Sequence, residues 1–153
     1  MNEMPGNRSN LPKIIGEQCF CLHSRMTARA VTRRYNSILA SLGLEVTEFS
    51  LLAALTIGKD VSITTLAERL AFERTTLVRN LKKMAARGLI KPSGDKGRAV
   101  RYLLTKRGHQ ALEEALPLWV EAQKSVLGQL EGRDAKGVLN SLNALRRAAK
   151  FPG

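Results

Sequence analysis

Between Val61 and Thr105 the apolar positions change period, and the rest of the chain is arranged around that stretch. Leu66, Ala67 and Leu70 form the inner side of a short helix, capped by Thr64 or Thr65 with Glu68 as a capping-box partner. Ala71-Phe72-Glu73 turns the chain. Leu77, Leu81, Met84 and Ala85 then fall at i, i+4, i+7 and i+8, one stripe of a second helix over 74–87 that Gly88 ends. Glu73 holds its N-cap position, where Ser or Asp is the better residue. Leu89-Ile90 opens a strand, 93–98 is a turn-rich tip, and Val100, Tyr102 and Leu104 return with period two. The pattern predicts helix, turn, helix and β-wing.

The flanks read as helical. Residues 1–16 are expected to be a flexible arm, with Pro5, Gly6, Ser9 and Pro12. A long helix is predicted from about Glu17 to Leu42, with Phe20, Met26, Val31 and Ile38 on its apolar side, and Gly43 ends it. Thr47 is the expected N-cap of a nearly all-apolar helix holding Phe49, Leu51, Leu52, Leu55 and Ile57, predicted to be central and buried and to end at Gly58. Val61–Ile63 has room for one small strand. Thr105 should cap a long helix reaching Leu130, bent by Pro117 or short of a hydrogen bond there. Asp134 should cap a last amphipathic helix with Val138, Leu139, Leu142 and Leu145.

The expected fold is mainly α with a small β-wing. A winged helix-turn-helix lobe over 46–104 is embedded in an α-helical dimerisation region formed by 17–45 and 105–153. The flanking helices carry more apolar face than the lobe covers, which predicts a homodimer. Two-fold symmetry would set the reading helices about 34 Å apart over a palindromic operator.

Charge sharpens this picture. The 153 residues carry a net charge of +12, and residues 61–110 hold 12 cations against 3 anions. Most of the excess therefore lies on the helix-turn-helix and wing, which predicts a polyanion partner there. An aromatic content of 5% argues against single-strand stacking platforms, and 44% hydrophobic residues suit a Leu/Ala/Val-packed helical protein. The sequence contains neither a membrane-length apolar run nor a secretory pattern, so the expected compartment is the cytoplasm, with no membrane partner. No carboxylate pair, phosphate loop or nucleophile–base spacing suggests an enzyme, and no cofactor or metal is implied. The face of the second helix opposite its apolar stripe carries Thr75, Thr76, Arg79, Lys82 and Lys83. Arg reads guanine edges, Thr contacts bases or phosphates, and Lys holds the backbone. The same face also fits a solvated basic surface, or a DNA-architectural protein without sequence choice.

The ordered set Leu66-Ala67-Glu68-Arg69-Leu70, Thr76-Leu77-Val78-Arg79-Asn80-Leu81, Ala86-Arg87-Gly88-Leu89-Ile90, Asp95-Lys96-Gly97-Arg98-Ala99, Leu104-Thr105, Gly108 and Ala115-Leu116-Pro117 resembles the MarR family of winged-helix transcriptional regulators. The resemblance runs from about Glu17 to Leu145. It implies base contacts at Arg74, Thr75, Thr76 and Arg79, and phosphate contacts near Thr64, Thr65, Lys82 and Lys83. It also implies a minor-groove arginine at the wing tip, Arg98, steadied by Asp95, with Gly97 where a second arginine is common. The family's usual logic is repression relieved by a small phenolic or acidic effector bound between the dimerisation and DNA-binding lobes. Arg25, Arg29, Tyr35 and Trp119 are pocket candidates on that basis, or structural residues.

Cys19 and Cys21 open the first long helix. Cys21 precedes Tyr35 with Arg29 and Thr32 between them, a spacing similar to the family's organic-peroxide-sensing branch. Helix amides and Arg25 nearby would favour a thiolate there. The tyrosines that support the sensing thiol in that branch are replaced by Arg25, Val46 and Phe49. Two small hydrophobes at a dimer interface are the other reading. Cys19 and His23 share a face at i, i+4, too few ligands for zinc.

Overall fold

The computed structural model describes residues 10–57, 61–93, 100–130, 132 and 134–149. Its elements are α1 (Leu11–Gln18), α2 (Phe20–Leu39), a 3₁₀ turn (Ala40–Leu42), α3 (Val46–Thr56), α4 (Ile63–Leu70), α5 (Arg74–Ala86), β1 (Ile90–Ser93), β2 (Arg101–Leu104), α6 (Lys106–Gly128) and α7 (Ala135–Ala148). The strands form one antiparallel pair in which Ile90 faces Leu104 and Ser93 faces Arg101. This is the mainly helical fold with a small wing that the pattern predicts.

One apolar core joins the winged lobe to the flanking helices. Leu51 and Leu52 of α3, Leu66 of α4, Leu77, Leu81 and Met84 of α5, Ile90 of β1, Leu39 of α2 and Ala115 of α6 are all buried in it. Each such leucine contributes about 1.5–3 kcal/mol by leaving water. α3 is the central helix expected of it, although Ile57, just past its end, is 78% exposed. α2 lies along α6, while α3 packs beneath β2 and α6.

Several boundaries shift for local reasons. Helix begins at Leu11, inside the expected arm, with Pro12 in its first turn, where a missing N–H costs nothing. The long first helix is broken at Cys19, whose extended backbone (ψ 105) starts α2 and whose sulfur accepts the Leu22 N–H at 3.4 Å. The cap of α3 is Glu45, not Thr47: the Glu48 carboxylate reaches back to the Glu45 N–H at 3.1 Å, and Asn36 Oδ1 takes the Val46 N–H at 2.7 Å. Ser62, not Thr64 or Thr65, caps α4 by accepting the Thr65 N–H at 3.1 Å. Helix α4 therefore starts at Ile63, and Val61–Ile63 forms no strand. Gly58 lies outside the described residues. Thr105 and Asp134 cap α6 and α7 as expected, and α6 continues through Pro117.

The base of the wing is fastened to α6. Thr105 Oγ1 donates to the Gly88 carbonyl at 2.6 Å, and the Thr105 N–H reaches Leu89 O at 3.1 Å. Gly108 sits so close behind that a Cβ there would lie 2.0 Å from Leu89 O. Among the described residues, no single helix is long and apolar enough to cross a membrane.

Candidate nucleic-acid interface

Helices α4 and α5 are joined by a turn whose pivot is Ala71, left-handed at φ 54. The Phe72 N–H returns to Ala67 O at 2.9 Å and the Ala71 N–H to Glu68 O at 3.3 Å, which closes α4 in the manner of a Schellman turn. Glu73 then starts α5 without a side-chain cap, and nothing in the structure explains a glutamate there. Leu77, Leu81 and Met84 are buried, which fixes the opposite face of α5 outward. Arg74, Thr75, Arg79, Lys82 and Lys83 are exposed there, and Thr76 is half-buried at its edge. On α4, Thr64 is exposed, whereas Thr65 is half-buried and its hydroxyl lies 2.9 Å from Ser62 Oγ. The wing-tip residues Asp95 and Arg98 lie outside the described residues; Lys91 on β1 is exposed.

The rear of α5 holds two residues that periodicity did not single out. Glu48 of α3 is 2% exposed. Arg87, just past α5, donates from Nη1 to both Glu48 oxygens at 2.7 and 2.8 Å, and from Nη2 to Gly43 O at 2.8 Å. Lys83 Nζ lies 3.5 Å from both Glu45 and Glu48, so one of the expected phosphate contacts also has carboxylate partners within the chain. Burial alone would raise the Glu48 pKa, but the Arg87 and Glu45 hydrogen bonds and the charges of Arg87 and Lys83 outweigh it and hold the carboxyl below its ordinary value. The available signal was a lone acid in an apolar helix and an arginine at the end of α5.

Within one chain the four pocket candidates do not share a cleft. Trp119 stacks on Phe49 with ring centroids 6.0 Å apart. Together with Ser50, Ala53, Leu70 and Leu116 the two rings line an apolar cleft of about 420 Å³ between α3, α4 and α6. Tyr35 is buried, donates its hydroxyl to Gln123 of α6, and is held above its ordinary pKa by burial. Arg25 and Arg29 are exposed on α2. Cys21 is exposed and Cys19 is half-buried at the α2 cap. Among the described residues no three His, Cys, Asp or Glu side chains form a metal-holding group.

The MarR family model matches residues 42–99, from the end of the 3₁₀ turn through α3, α4, α5 and the first wing strand, β1. An organic hydroperoxide resistance transcriptional regulator of Bacillus subtilis (strain 168) is 27% identical over 143 residues, which cover 91% of this chain and 93% of that one. Bordetella bronchiseptica BpsR shares the fold, with a TM-score of 0.72 and 22% identity over 97% of this chain and all of its own. The M. tuberculosis transcriptional regulator MosR, solved in complex with DNA, has a TM-score of 0.79 and covers 86% of this chain and 96% of its own. MosR is also 36% identical in sequence, so the kinship extends beyond shared architecture: the chain belongs to the MarR family and is a DNA-binding transcriptional regulator.

Proposed function

We propose that the chain is a homodimeric, sequence-specific regulator that binds a palindromic double-stranded operator, represses from it, and is released by a small ligand. The observation that carries the DNA reading is the outward face of α5, where Arg74, Thr75, Arg79, Lys82 and Lys83 stand exposed opposite the buried Leu77, Leu81 and Met84. In this reading Arg74, Thr75, Thr76 and Arg79 contact bases, while Thr64, Thr65, Lys82 and Lys83 contact phosphates. Asp95 and Arg98 carry the wing contact. The MosR–DNA complex supports it as a relative that binds DNA.

Dimerisation through α2, α6 and α7 is supported by their uncovered apolar side chains. Phe20 is 74% exposed, and Met26, Leu116, Leu127, Leu139 and Leu142 are exposed with it. The cleft beside Trp119, apolar and bordered by both regions of the chain, is the proposed effector site. The proposed compartment is the cytoplasm, where the operator lies.

The deciding experiment is selection from a random duplex pool, followed by affinity measurement at fixed salt. A specific regulator enriches a palindrome and binds it about 10³-fold or more tighter than random duplex. Equal affinity for both means a non-specific architectural protein instead.

A second reading is redox control through Cys21 or Cys19. It is favoured by the exposed Cys21 thiol, by the Cys19 sulfur at the head of α2, and by kinship with a hydroperoxide-resistance regulator.

A further inference from the structure

One guanidinium joins three parts of this chain that have different work to do. Arg87 closes the C-terminal end of α5, the DNA-facing helix. Its Nη1 holds both oxygens of Glu48, which is buried in the first turn of α3 and itself accepts the Glu45 N–H. Its Nη2 donates to the carbonyl of Gly43 at 2.8 Å. Gly43, left-handed at φ 63, ends the 3₁₀ turn by which α2 leaves the dimerisation region and enters the winged lobe. The α2–α3 joint is also braced by Asn36, whose Oδ1 accepts the Val46 N–H.

We propose that Arg87 is a positioning residue: by tying α5 to Gly43 at the exit of α2, it sets how far apart the two α5 helices of a dimer stand, and hence which spacing of operator half-sites is accepted. The inference rests on the dimeric reading above. Helix α5 has 13 residues. A helix of that length spans about 20 Å, so a tilt of about 10° at its Arg87 end moves its far end about 3.4 Å, one base-pair step. Small changes at this strut are thereby large on the scale that DNA spacing measures. Ion pairs of this kind add little net stability over an apolar replacement, and fixing register is their best-attested use. The helix also packs through Leu77, Leu81 and Met84, so it retains a seat in the core when the strut is altered.

The test takes the duplex that the wild-type protein selects from a random pool, and duplexes with one base pair removed or one or two added between the half-sites. Wild type is expected to lose about tenfold or more in affinity per base-pair change, in line with the cost of a mismatched site. Arg87→Lys keeps a charge beside Glu48 but has a single nitrogen where arginine uses two, Nη1 for Glu48 and Nη2 for Gly43 O. It is expected to remain folded by circular dichroism and to discriminate less than threefold among spacings. Arg87→Met and Glu48→Gln are expected to flatten the preference in the same way. Lys82→Ala, the control, should weaken every spacing by one factor.

If Arg87→Lys and Arg87→Met preserve the wild-type ratios between spacings, however weakly they bind, the residue is merely structural and the proposal is overturned. Loss of folding in all three variants assigns Arg87 to stability and also overturns it. A wild-type protein indifferent to spacing overturns the dimeric reading and this proposal together, and that failure is visible before any variant is made.

Discussion

Arg87 and Glu48, thirty-nine positions apart in sequence, meet at 2.7 Å, with the carboxylate 3% and the guanidinium-bearing side chain 33% exposed. The pair welds the end of α5 to the start of the central helix. Because Glu48 titrates below its ordinary value of 4.5, its ionised form contributes stability that is present above about pH 4.5 and is lost as pH falls through the lower folded value. Glu48→Gln is expected to cost about 1–3 kcal/mol at neutral pH and to flatten the acid limb of stability. Urea titrations between pH 3 and 7 check this. An acid limb as steep as in wild type would assign it to other carboxylates.

Gly108 has no room for a side chain, since an added Cβ would lie 2.0 Å from Leu89 O and 3.0 Å from its carbon. Gly108→Ala is expected to destabilise by at least about 1–3 kcal/mol, as overpacking does. Gly128→Ala, at the end of the same helix with nothing within 4 Å, should be neutral or stabilise by up to about 1 kcal/mol. Thermal or urea unfolding of the two variants provides the comparison.

Ala71 occupies a left-handed conformation at φ 54 that costs an L-residue about 1–2 kcal/mol. Glycine removes that strain but loses more chain entropy on folding. Ala71→Gly is therefore expected to stabilise by about 0.5 kcal/mol, and a measured loss would mean that glycine's entropy cost outweighs the relieved strain.

Arg79 and Lys82 are both exposed on α5, and the proposed function gives them different work. Arg79→Ala is expected to cost about 1–3 kcal/mol on the selected operator and to relax base preference at one position. Lys82→Ala should weaken all duplexes alike and lower the salt slope by about one. Lys83→Ala would mix this loss with release of Glu45 and Glu48, which lie 3.5 Å from its ammonium. Equal effects of Arg79→Ala on operator and random DNA would remove it from base reading.

The thiols separate by position. Cys21 is exposed, whereas Cys19 is half-buried and caps α2. Under the redox reading, peroxide lowers operator binding of the wild type and Cys21→Ser abolishes that response. Operator binding that peroxide leaves unchanged in the wild type ends that reading.

Helix, turn, helix and wing were legible because Leu77, Leu81 and Met84 repeat at helical spacing and all three are buried. Thr105 and Asp134 were legible as caps because each is the hydroxyl or carboxylate residue immediately before its helix. Where polar residues crowd together, sequence does not choose among them. Thr47 lost to Glu45 because Glu48 and Asn36 satisfy the amides there, and Thr64 and Thr65 lost to Ser62, two and three residues earlier. The Glu48–Arg87 pair is a tertiary contact and leaves no periodic trace. Of the candidate interface, the α5 face was readable because one buried stripe dictates the opposite side. The pocket candidates were not, because Tyr35 turns to Gln123 while Trp119 turns to Phe49.

The bonds from Thr105 to Gly88 and Leu89 make the wing's root and the head of α6 a single joint, and Ala115 of α6 completes the same core as Leu77 and Leu81. The winged half is thus no detachable cassette. A fragment ending at Leu104 would forfeit the clasp under its wing and a wall of its interior. If α5 reads the operator as proposed, transplanting a new preference into this scaffold calls for exchanging surface residues of α5 in place, not for swapping the lobe.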